Sequence, residues 1–392
     1  MKILFITPWF PSDRQDQVGN FILDSVEALV HMDHEIVVLV SRSWKPTGAG
    51  LISKFWINRK IHIESLADNI YIHTCQYFSI PRHFFSAISN GSFRKRVGFV
   101  VEKLISQYQC QLIHAHTELA SLVAVDISKK LGIPSVVTLH GISTEKRLYS
   151  NNKKLLFGYG LANINRVILV GDSLAHFFKN LVSHHEHFRV VQNGFRAHPP
   201  GLMPVKKNKH HLRLISVAHL HEGKGIDINL HALAKLKKAG INQWTYKIVG
   251  EGDEKKNLEK LVTDLNLNTQ VIFLNACKHN DVYNHLSESD VFILPSYREA
   301  FGIAYVEAMS FGLLVVGVED QGPASFIEHE KTGFLVKAQN IDSLFDTLKE
   351  IFHSPQKIRL IAKAGKEYVH NHLTWYNHAK KLTNIYQELI KE

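Results

Sequence analysis

The sequence predicts an α/β protein with two Rossmann-like domains, each built around a parallel β-sheet. Short apolar runs typical of buried strands alternate with helical apolar spacing along most of the chain. A proline-containing and then basic stretch, residues 196–211, divides this series in two. A chain of 392 residues also suits two domains of about 150 to 200 residues rather than one. We therefore expect domains over residues 1–200 and 212–372, a linker over 201–211 and a final helical segment over 373–392.

The individual elements follow from the positions of the apolar runs. Strands are predicted where such a run ends in a turn or a helix signal, at residues 3–7, 35–40, 69–75, 112–116, 134–141, 167–170, 212–218, 244–249, 271–276 and 290–295. Helical spacing of apolar residues occurs near residues 21–31, 99–107, 226–236, 303–311 and 375–389. Strands that alternate with helices in this way are typical of parallel sheets.

The most informative stretch is residues 297–317, in which a loop and a helix follow a strand. The apolar run that ends at Pro295 predicts the buried strand, and Gly312 suits the left-handed position after a helix end. A helix that begins near Gly302 leaves its first amides, around residues 301–304, unpaired at the mouth of the sheet. Because anions and phosphates bind at such positions, we expect an anion site there.

Two glutamates, Glu299 and Glu307, flank this anion site eight positions apart. Glu299 lies in the loop, and Glu307 lies about one and a half turns into the helix. A carboxylate beside a bound phosphate is repelled unless it accepts hydrogen bonds from hydroxyl groups further along the same ligand. Phosphate between two polyols describes a nucleotide sugar. In the alternative interpretation, Glu299 caps the helix and Glu307 is a solvated helix residue.

This stretch resembles a known family. Six residues match, in order, the E-x7-E signature of family-4 retaining glycosyltransferases with the GT-B fold: Glu299, Phe301, Gly302, Glu307, Ala308 and Gly312. The resemblance spans nearly the whole chain and is strongest over residues 212–340. It implies two Rossmann-like domains that face each other across a cleft, the first binding the acceptor and the second the nucleotide sugar. It also implies that the final helix crosses back to the first domain.

The resemblance implies three catalytic residues, namely Glu299, His116 and Lys224. Glu299 would hold the sugar hydroxyls, Lys224 would contact the diphosphate, and His116 would line the acceptor side of the cleft. Glu307 would hold the ribose. The family usually has an arginine where this chain has His219, and histidine binds phosphate with less charge than arginine. Either Lys224 provides most of the phosphate contact, or the donor is held less tightly.

Further substrate-binding residues are implied in the loops that follow the predicted strands. In the first domain they are Gly19, His140 and Asn193, the last in an Asn-Gly turn. In the second domain they are His219, Gly250, Gly252, Cys277, Lys278, Phe301, Gly302, Ile303 and Glu307. The Gly250–Gly252 turn imitates a dinucleotide fingerprint, but Lys255 occupies the place of the third glycine. A dinucleotide site is therefore not expected.

A paired histidine motif, His114 and His116, raises the alternative of a metal site. Residues two apart in a strand face the same side, but no third ligand follows at a recognisable spacing. The sequence also lacks a D-x-D triplet, the usual metal–diphosphate motif of the other major glycosyltransferase fold. We therefore expect no metal and no other cofactor.

The charge distribution points to anionic partners. The net charge is +10 at pH 7. Aromatic and basic residues interleave over residues 51–63 and 83–97, as in surfaces that rest on anionic membrane headgroups. The alternative is a half-buried helix with a solvated basic rim. Nucleic acid is less favoured, because the sequence has no C2H2 spacing, no RRM signature and no basic low-complexity tail.

The compartment is predicted from the opening residues and the cysteines. An apolar run interrupted by Pro8 and Pro11 predicts a first strand rather than a signal peptide or a membrane span. Three well-separated cysteines argue against a disulfide framework and fit a reducing cytosol. We expect a cytoplasmic protein that is peripheral on the inner face of the cell membrane.

These observations together predict a metal-independent, retaining transfer of a hexose-type sugar. The donor would be a nucleotide-diphosphate sugar, with UDP favoured, and the acceptor a lipid-linked or cell-surface glycan. Two alternatives are kept. One is a nucleotide-sugar epimerase or hydrolase of related fold, and the other is a non-catalytic nucleotide-sugar-binding protein that has lost the phosphate-binding arginine.

Overall fold

The computed structural model describes residues 1–12, 18–44, 68–79, 86–141, 151–179, 186–196 and 211–391. They form two compact units, of which the first is Met1–Asn193 with Trp375–Glu392 and the second is Gly194–Thr374. Each unit contains a parallel sheet with helices around it. The predicted fold class, α/β with two Rossmann-like parallel-sheet domains, is confirmed.

The first unit is built on a sheet whose described strands lie in the order β3-β2-β1-β4-β5-β6-β7. These strands are β1 Lys2–Thr7, β2 Glu35–Trp44, β3 Ile70–Phe78, β4 Leu112–Ala115, β5 Ser135–Leu139, β6 Arg166–Leu169 and β7 Phe188–Val190. The helices of this unit are α1 Asn20–Val30, α2 Ser86–Tyr108, α3 Glu118–Leu131, α4 Asn151–Asn163, α5 Asp172–Lys179 and the last helix of the chain, α12 Trp375–Lys391.

The core of the first unit explains why its central strands read as continuous apolar runs. Strand β1 pairs in parallel with β2 from Lys2 opposite Glu35, and with β4 from Ile3 opposite Leu112. Both faces of such a strand are covered by helices, so polar alternation is absent. One covering helix is α12, whose buried residues join the same core as those of α1 and β1: Ala379, Leu382, Ile385, Tyr386 and Leu389.

The second unit is built on a sheet whose strands lie in the order β10-β9-β8-β11-β12-β13. These strands are β8 Leu212–Val217, β9 Trp244–Val249, β10 Val271–Leu274, β11 Val291–Ile293, β12 Leu314–Val318 and β13 Phe334–Val336. Its helices are α6 Ile226–Lys238, α7 Lys255–Asp264, α8 His279–Ser287, α9 Ile303–Ser310, α10 Ile341–His353 and α11 Pro355–His372.

Strand order identifies one place in each unit where a ligand would bind. In both sheets the order reverses beside the first strand, between β1 and β4 and between β8 and β11. Ligands of open α/β sheets bind outside the carboxyl ends of the strands at such a position. We call the region around the carboxyl ends of β1, β4 and β5 the first switch point, and the region around the carboxyl ends of β8, β10 and β11, with the helices that follow them, the second switch point.

Helix α2 begins earlier than the sequence pattern predicted, at Ser86 rather than near residue 99. The extension is helical because Phe93, Val97 and Val101 are all buried at a spacing of four, which places them on one face of the helix. Phe93 also packs edge-on against Tyr77 of β3, with ring centroids 4.8 Å apart. Among the described residues, no helix is both long and apolar enough to cross a bilayer.

Candidate functional site

The second switch point is centred on an ion pair between Lys224 and Glu299. Lys224 ends a short 3-10 turn after β8, and Glu299 lies in the loop between β11 and α9. Lys224 Nζ donates a hydrogen bond of 2.7 Å to Glu299 Oε2, and the two side chains are only 16% and 14% exposed. The structure therefore joins two residues that are 75 positions apart in the sequence.

Backbone contacts hold the Lys224 loop against the loop after β11. Gly225 has a φ of 65°, and a Cβ atom there would lie 2.4 Å from the Pro295 carbonyl oxygen, which allows only glycine at this close approach. The Tyr297 amide also donates to the Gly223 carbonyl at 3.1 Å. These contacts fix the base of the lysine side chain relative to the strand end.

The backbone of Glu299 is fixed from the opposite side by the loop after β12. Its amide donates to Gln321 Oε1 at 3.1 Å, and its carbonyl accepts from the Gly322 amide at 2.8 Å. The carboxylate thus lies on a loop held from two neighbouring strands. Gln321 was not predicted from the sequence, and its position next to Gly322 is the only signal that could have identified it.

Helix α9 begins directly after this loop and has no side-chain cap. Gly302 is its N-cap residue and has no side chain to cap the helix, and the Glu299 carboxylate bonds to Lys224 instead, so the alternative interpretation of Glu299 as a cap is wrong. Phe301 is only 2% exposed and packs on Phe326 with ring centroids 5.1 Å apart. Its side chain belongs to the core, and only its backbone and those of Gly302 and Ile303 remain for a ligand.

Glu307 lies in α9 and is buried rather than solvated, with 8% of the residue exposed. Its Oε1 atom lies 3.1 Å from Nε2 of His279, the first residue of α8. The interpretation of Glu307 as a solvated helix residue is therefore wrong. His279 was missed by the sequence reasoning, although it directly follows Cys277 and Lys278, which were predicted to bind the substrate.

Two histidines, His219 and His221, lie between β8 and Lys224 in the sequence. His219 is exposed, in the place where an arginine was expected from the resemblance. His221 is partly buried, and its Nδ1 accepts a hydrogen bond of 3.1 Å from the Gly223 amide. Burial, followed by the charge of Lys224 and the neighbouring His219, lowers the pKa of His221. His221 is consequently neutral and acts here as an acceptor.

The other predicted residues of the second unit lie around the ends of β9 and β10. Gly250 and Gly252 follow β9, and a Cβ at Gly250 would lie 1.9 Å from the carbonyl oxygen of Ala218. Glycine therefore allows the loop after β9 to approach the loop after β8. Cys277 is partly buried, which raises the pKa of its thiol, whereas Lys278 is exposed as the N-cap residue of α8.

The first switch point contains three stacked histidines. His114 and His116 have ring centroids 4.2 Å apart, and His116 and His140 have ring centroids 5.3 Å apart. His114 is fully buried and bonds to Tyr386 Oη at 2.6 Å and to Thr138 Oγ1 at 2.7 Å. Both of its nitrogens are thereby used inside the fold, so His114 has a structural role.

His116 and His140 form a hydrogen bond but each keeps a free nitrogen. His116 Nδ1 lies 3.0 Å from His140 Nε2. Within the described residues, neither His116 Nε2 nor His140 Nδ1 has a hydrogen-bond partner, and both atoms are buried. Burial lowers the pKa of His116 far below its usual value and that of His140 to about 3. Both rings are therefore neutral, and one free nitrogen is a donor while the other is an acceptor.

Gly19 ends the loop after β1 at the first switch point, whereas Asn193 follows β7. Gly19 is the N-cap residue of α1, and its left-handed backbone packs against the backbone of Trp9 and Phe10. Helix α1 then places Phe21 against His140, with ring centroids 4.7 Å apart. Asn193 is buried, with 5% exposed, at the last residue of the unit's first segment. Among the described residues, no group of three His, Cys, Asp or Glu side chains could hold a metal ion.

The first predicted membrane-facing stretch, residues 51–63, lies wholly outside the described residues, and the second, residues 83–97, is described only from residue 86. Within the second stretch, Phe93 is 2% exposed, and Arg94 Nη2 lies 2.7 Å from Asp126 Oδ2. The burial of Phe93 and the ion pair of Arg94 agree with the alternative interpretation, a half-buried helix with a basic rim. Lys95 and Phe99, by contrast, are exposed, the latter by 64%.

Comparison with known proteins relates both halves of the chain to glycosyltransferases. The family description "Glycosyltransferase Family 4" matches residues 18–198, and "Glycosyl transferases group 1" matches residues 204–368. The chain is 25% identical to the uncharacterized glycosyltransferase YqgM of Bacillus subtilis over 286 residues, which are 71% of this chain and 77% of that protein. Two further curated relatives are matched over only 45% and 64% of their own length.

Solved structures show the same similarity in the fold. A sucrose-phosphate synthase from Thermosynechococcus elongatus has a TM-score of 0.77 at 19% identity, covering 100% of this chain and 99% of its own. Anabaena Alr3699/HepE in complex with UDP and glucose has a TM-score of 0.72 at 20% identity, covering 99% of this chain and 100% of its own. At these identities the likeness concerns the fold alone.

Proposed function

Because the chain belongs to the group 1, family 4 glycosyltransferases of the GT-B fold, we propose that it transfers a hexose-type sugar, with retained anomeric configuration, from a UDP-sugar. The observation that carries this proposal is the Lys224–Glu299 ion pair of 2.7 Å beside the uncapped start of α9. It combines a cation for a phosphate with an acceptor for sugar hydroxyls. The solved complex of the Anabaena neighbour with UDP and glucose supports uracil as the base of the donor nucleotide.

In the proposed mechanism, charge develops on the departing diphosphate and is met by Lys224 and the first amides of α9. A lysine ammonium has three donors, so Lys224 can contact a phosphate oxygen without giving up Glu299. The unpaired amides of a helix N-terminus add positive potential at the same place. We assign no nucleophilic role to Glu299. The lack of a D-x-D motif in the sequence supports a transfer without a metal ion.

The remaining residues bind the nucleotide-sugar donor and the acceptor. Glu299 accepts hydrogen bonds from hydroxyls of the transferred sugar, and Glu307 accepts them from the ribose. His116 lines the acceptor side, where its unpartnered Nε2 is available to a hydroxyl group. Gly250, Gly252, Cys277 and Lys278 border the nucleobase, and Gly19, His140 and Asn193 border the substrate in the first unit. His219 gives weaker phosphate binding than an arginine.

We also propose that the acceptor is a lipid-linked or cell-surface glycan and that the enzyme works on the inner face of the cell membrane. The support is one face of α2, where Lys95, Phe99 and Lys103 are exposed at a spacing of four residues. An apolar ring between two lysines suits an anionic bilayer surface. Binding of the wild-type chain to anionic vesicles should be lost in Lys95→Glu/Phe99→Ser, and equal binding by both would contradict this surface.

The central experiment measures donor binding and transfer separately. UDP, GDP and ADP are first compared by thermal shift, because a ligand that binds only the folded chain raises its melting temperature. UDP-sugars are then incubated with and without a glycolipid acceptor. We expect UDP to stabilise the protein most, and UDP release to require the acceptor. Fast UDP release without acceptor would indicate a hydrolase, and tight binding without any transfer would indicate a non-catalytic binding protein.

A further inference from the structure

The contact between His279 and Glu307 joins two elements that the sequence does not connect. Glu307 is on the inner part of α9, and His279 is the first residue of α8, after the loop that follows β10. His279 Nε2 lies 3.1 Å from Glu307 Oε1, with 27% and 10% of the two side chains exposed. In the described part of the chain, this imidazole is the one recorded side-chain partner of the carboxylate.

The imidazole is itself held in place by aromatic packing. Its ring lies edge-on to Tyr283, one turn further along α8, with centroids 4.4 Å apart. Tyr283 is 1% exposed and packs on Phe311, the residue that ends α9, at 5.3 Å. The ring of His279 is therefore fixed relative to both helices, and its Nε2 has little freedom to leave the carboxylate.

This geometry leaves the two oxygens of Glu307 in different environments. The N–H on Nε2 of a neutral imidazole, or of a charged one, can donate to Oε1. The second oxygen, Oε2, then keeps its lone pairs for other donors. An ionised carboxylate accepts hydrogen bonds through both oxygens, so occupation of one fixes the plane of the group and the direction of the other.

We propose that His279 is a positioning residue that holds Glu307 so that the second carboxylate oxygen accepts hydrogen bonds from the ribose hydroxyls of the donor. His279 thereby contributes to the preference of the site for ribonucleotides over deoxyribonucleotides. This inference rests on the ribose role proposed above for Glu307. It goes further, because it assigns sugar selectivity in the nucleotide to a residue on a different helix. His279 makes no direct contact with the nucleotide in this proposal.

The test compares the binding of UDP and 2′-deoxy-UDP by calorimetry. The wild-type protein should bind UDP about tenfold more tightly or better, since a hydrogen bond to a charged group is lost in the deoxy compound. His279→Ala should reduce this ratio to about twofold and weaken UDP binding. His279→Gln, whose amide can still donate to Glu307, should restore part of the ratio. Asn280→Ala, an exposed substitution in the same helix turn, is the matched control and should keep the wild-type ratio.

Each outcome separates this inference from the proposed function. Glu307→Ala should also abolish the ratio, because alanine has no acceptor for the ribose hydroxyls, and combining it with His279→Ala should add no further loss. If Glu307→Ala removes the preference while His279→Ala keeps it, the positioning role is wrong and the ribose role of Glu307 stands. If Glu307→Ala keeps it, the ribose role itself is wrong, and the inference is overturned with it. Wild-type protein without detectable UDP binding overturns the donor proposal and this inference together. Melting temperatures verify folding, and His279→Gln carries the test if His279→Ala unfolds.

Discussion

The two switch points hold their buried polar side chains in opposite ways. At the second switch point, carboxylates face basic side chains, with Glu299 paired to Lys224 and Glu307 beside His279. At the first, His116 and His140 are neutral and bonded to each other. Paired charges suit a ligand that carries charge, and neutral imidazoles suit hydroxyl groups. The difference therefore agrees with a donor-binding second unit and an acceptor-binding first unit.

The largest effect is expected when the cation of the second switch point is removed. Lys224→Ala takes away the proposed phosphate contact and leaves the Glu299 carboxylate, 14% exposed, without its partner. We expect kcat/KM for the UDP-sugar to fall by about a hundredfold to a thousandfold. The matched control is Lys247→Ala, which breaks another ion pair of the same unit, with Glu288 at 2.8 Å. Equal donor kinetics in Lys224→Ala and Lys247→Ala would contradict the assignment.

The neutral pair of the first switch point should affect transfer without affecting donor binding. His116→Gln removes the imidazole that keeps an unpartnered nitrogen. We expect turnover to fall by about tenfold to a hundredfold, corresponding to one or two buried hydrogen bonds. The Kd for UDP, measured by calorimetry, should stay at the wild-type value. A weakened UDP affinity with normal turnover would reverse the roles of the two switch points.

His114 should affect stability more than His116 does. His114→Ala leaves Tyr386 Oη and Thr138 Oγ1 without their shared partner and opens a cavity. The free energy of unfolding should fall by about 2 to 4 kcal/mol. Urea unfolding followed by circular dichroism measures this loss. A loss below about 1 kcal/mol, within the range of an ordinary surface substitution, would show that His114 is not structural.

Acid should destabilise the first unit through its buried histidines. Burial lowers the pKa of His378 from 6.5 to about 4, so between those values only the unfolded state binds the proton. Stability is therefore fully present above pH 6.5 and is lost as the pH falls towards 4, by about 1.4 kcal/mol per pH unit for such a histidine. His378→Gln should make the slope of unfolding free energy between pH 6.5 and 4.5 shallower by about 1 kcal/mol per unit. An unchanged slope would contradict a neutral buried His378.

The smallest expected effect is a gain of donor affinity. His219 is exposed in the stretch after β8 that also contains Lys224, where an arginine would add a permanent charge and the capacity for two-point phosphate binding. His219→Arg should lower the KM for the UDP-sugar by about threefold to tenfold, with kcat unchanged. His211→Arg, at the opposite end of the same strand, serves as the charge control. An equal change in both variants would indicate long-range attraction rather than a phosphate contact.

The fold could be predicted from the sequence because each buried strand is a short local run of apolar residues. The side-chain pairs of the candidate site could not be predicted in this way. Lys224 and Glu299 are 75 positions apart, and His279 meets Glu307 only because α8 and α9 pack side by side. Spacing along the chain contains no information on such pairs. The start of α2 was also misjudged, because basic residues near Phe93 obscured the periodicity of the apolar residues that face the core.

Because α12 belongs to the first unit, the order in which the two units can be completed during synthesis is constrained. Tyr386 and its neighbours on that helix complete a core whose other parts are encoded before residue 193. During synthesis the second unit has therefore left the ribosome before the first can close. We therefore expect the second unit to complete its fold first, against the usual amino-to-carboxyl order of domain folding.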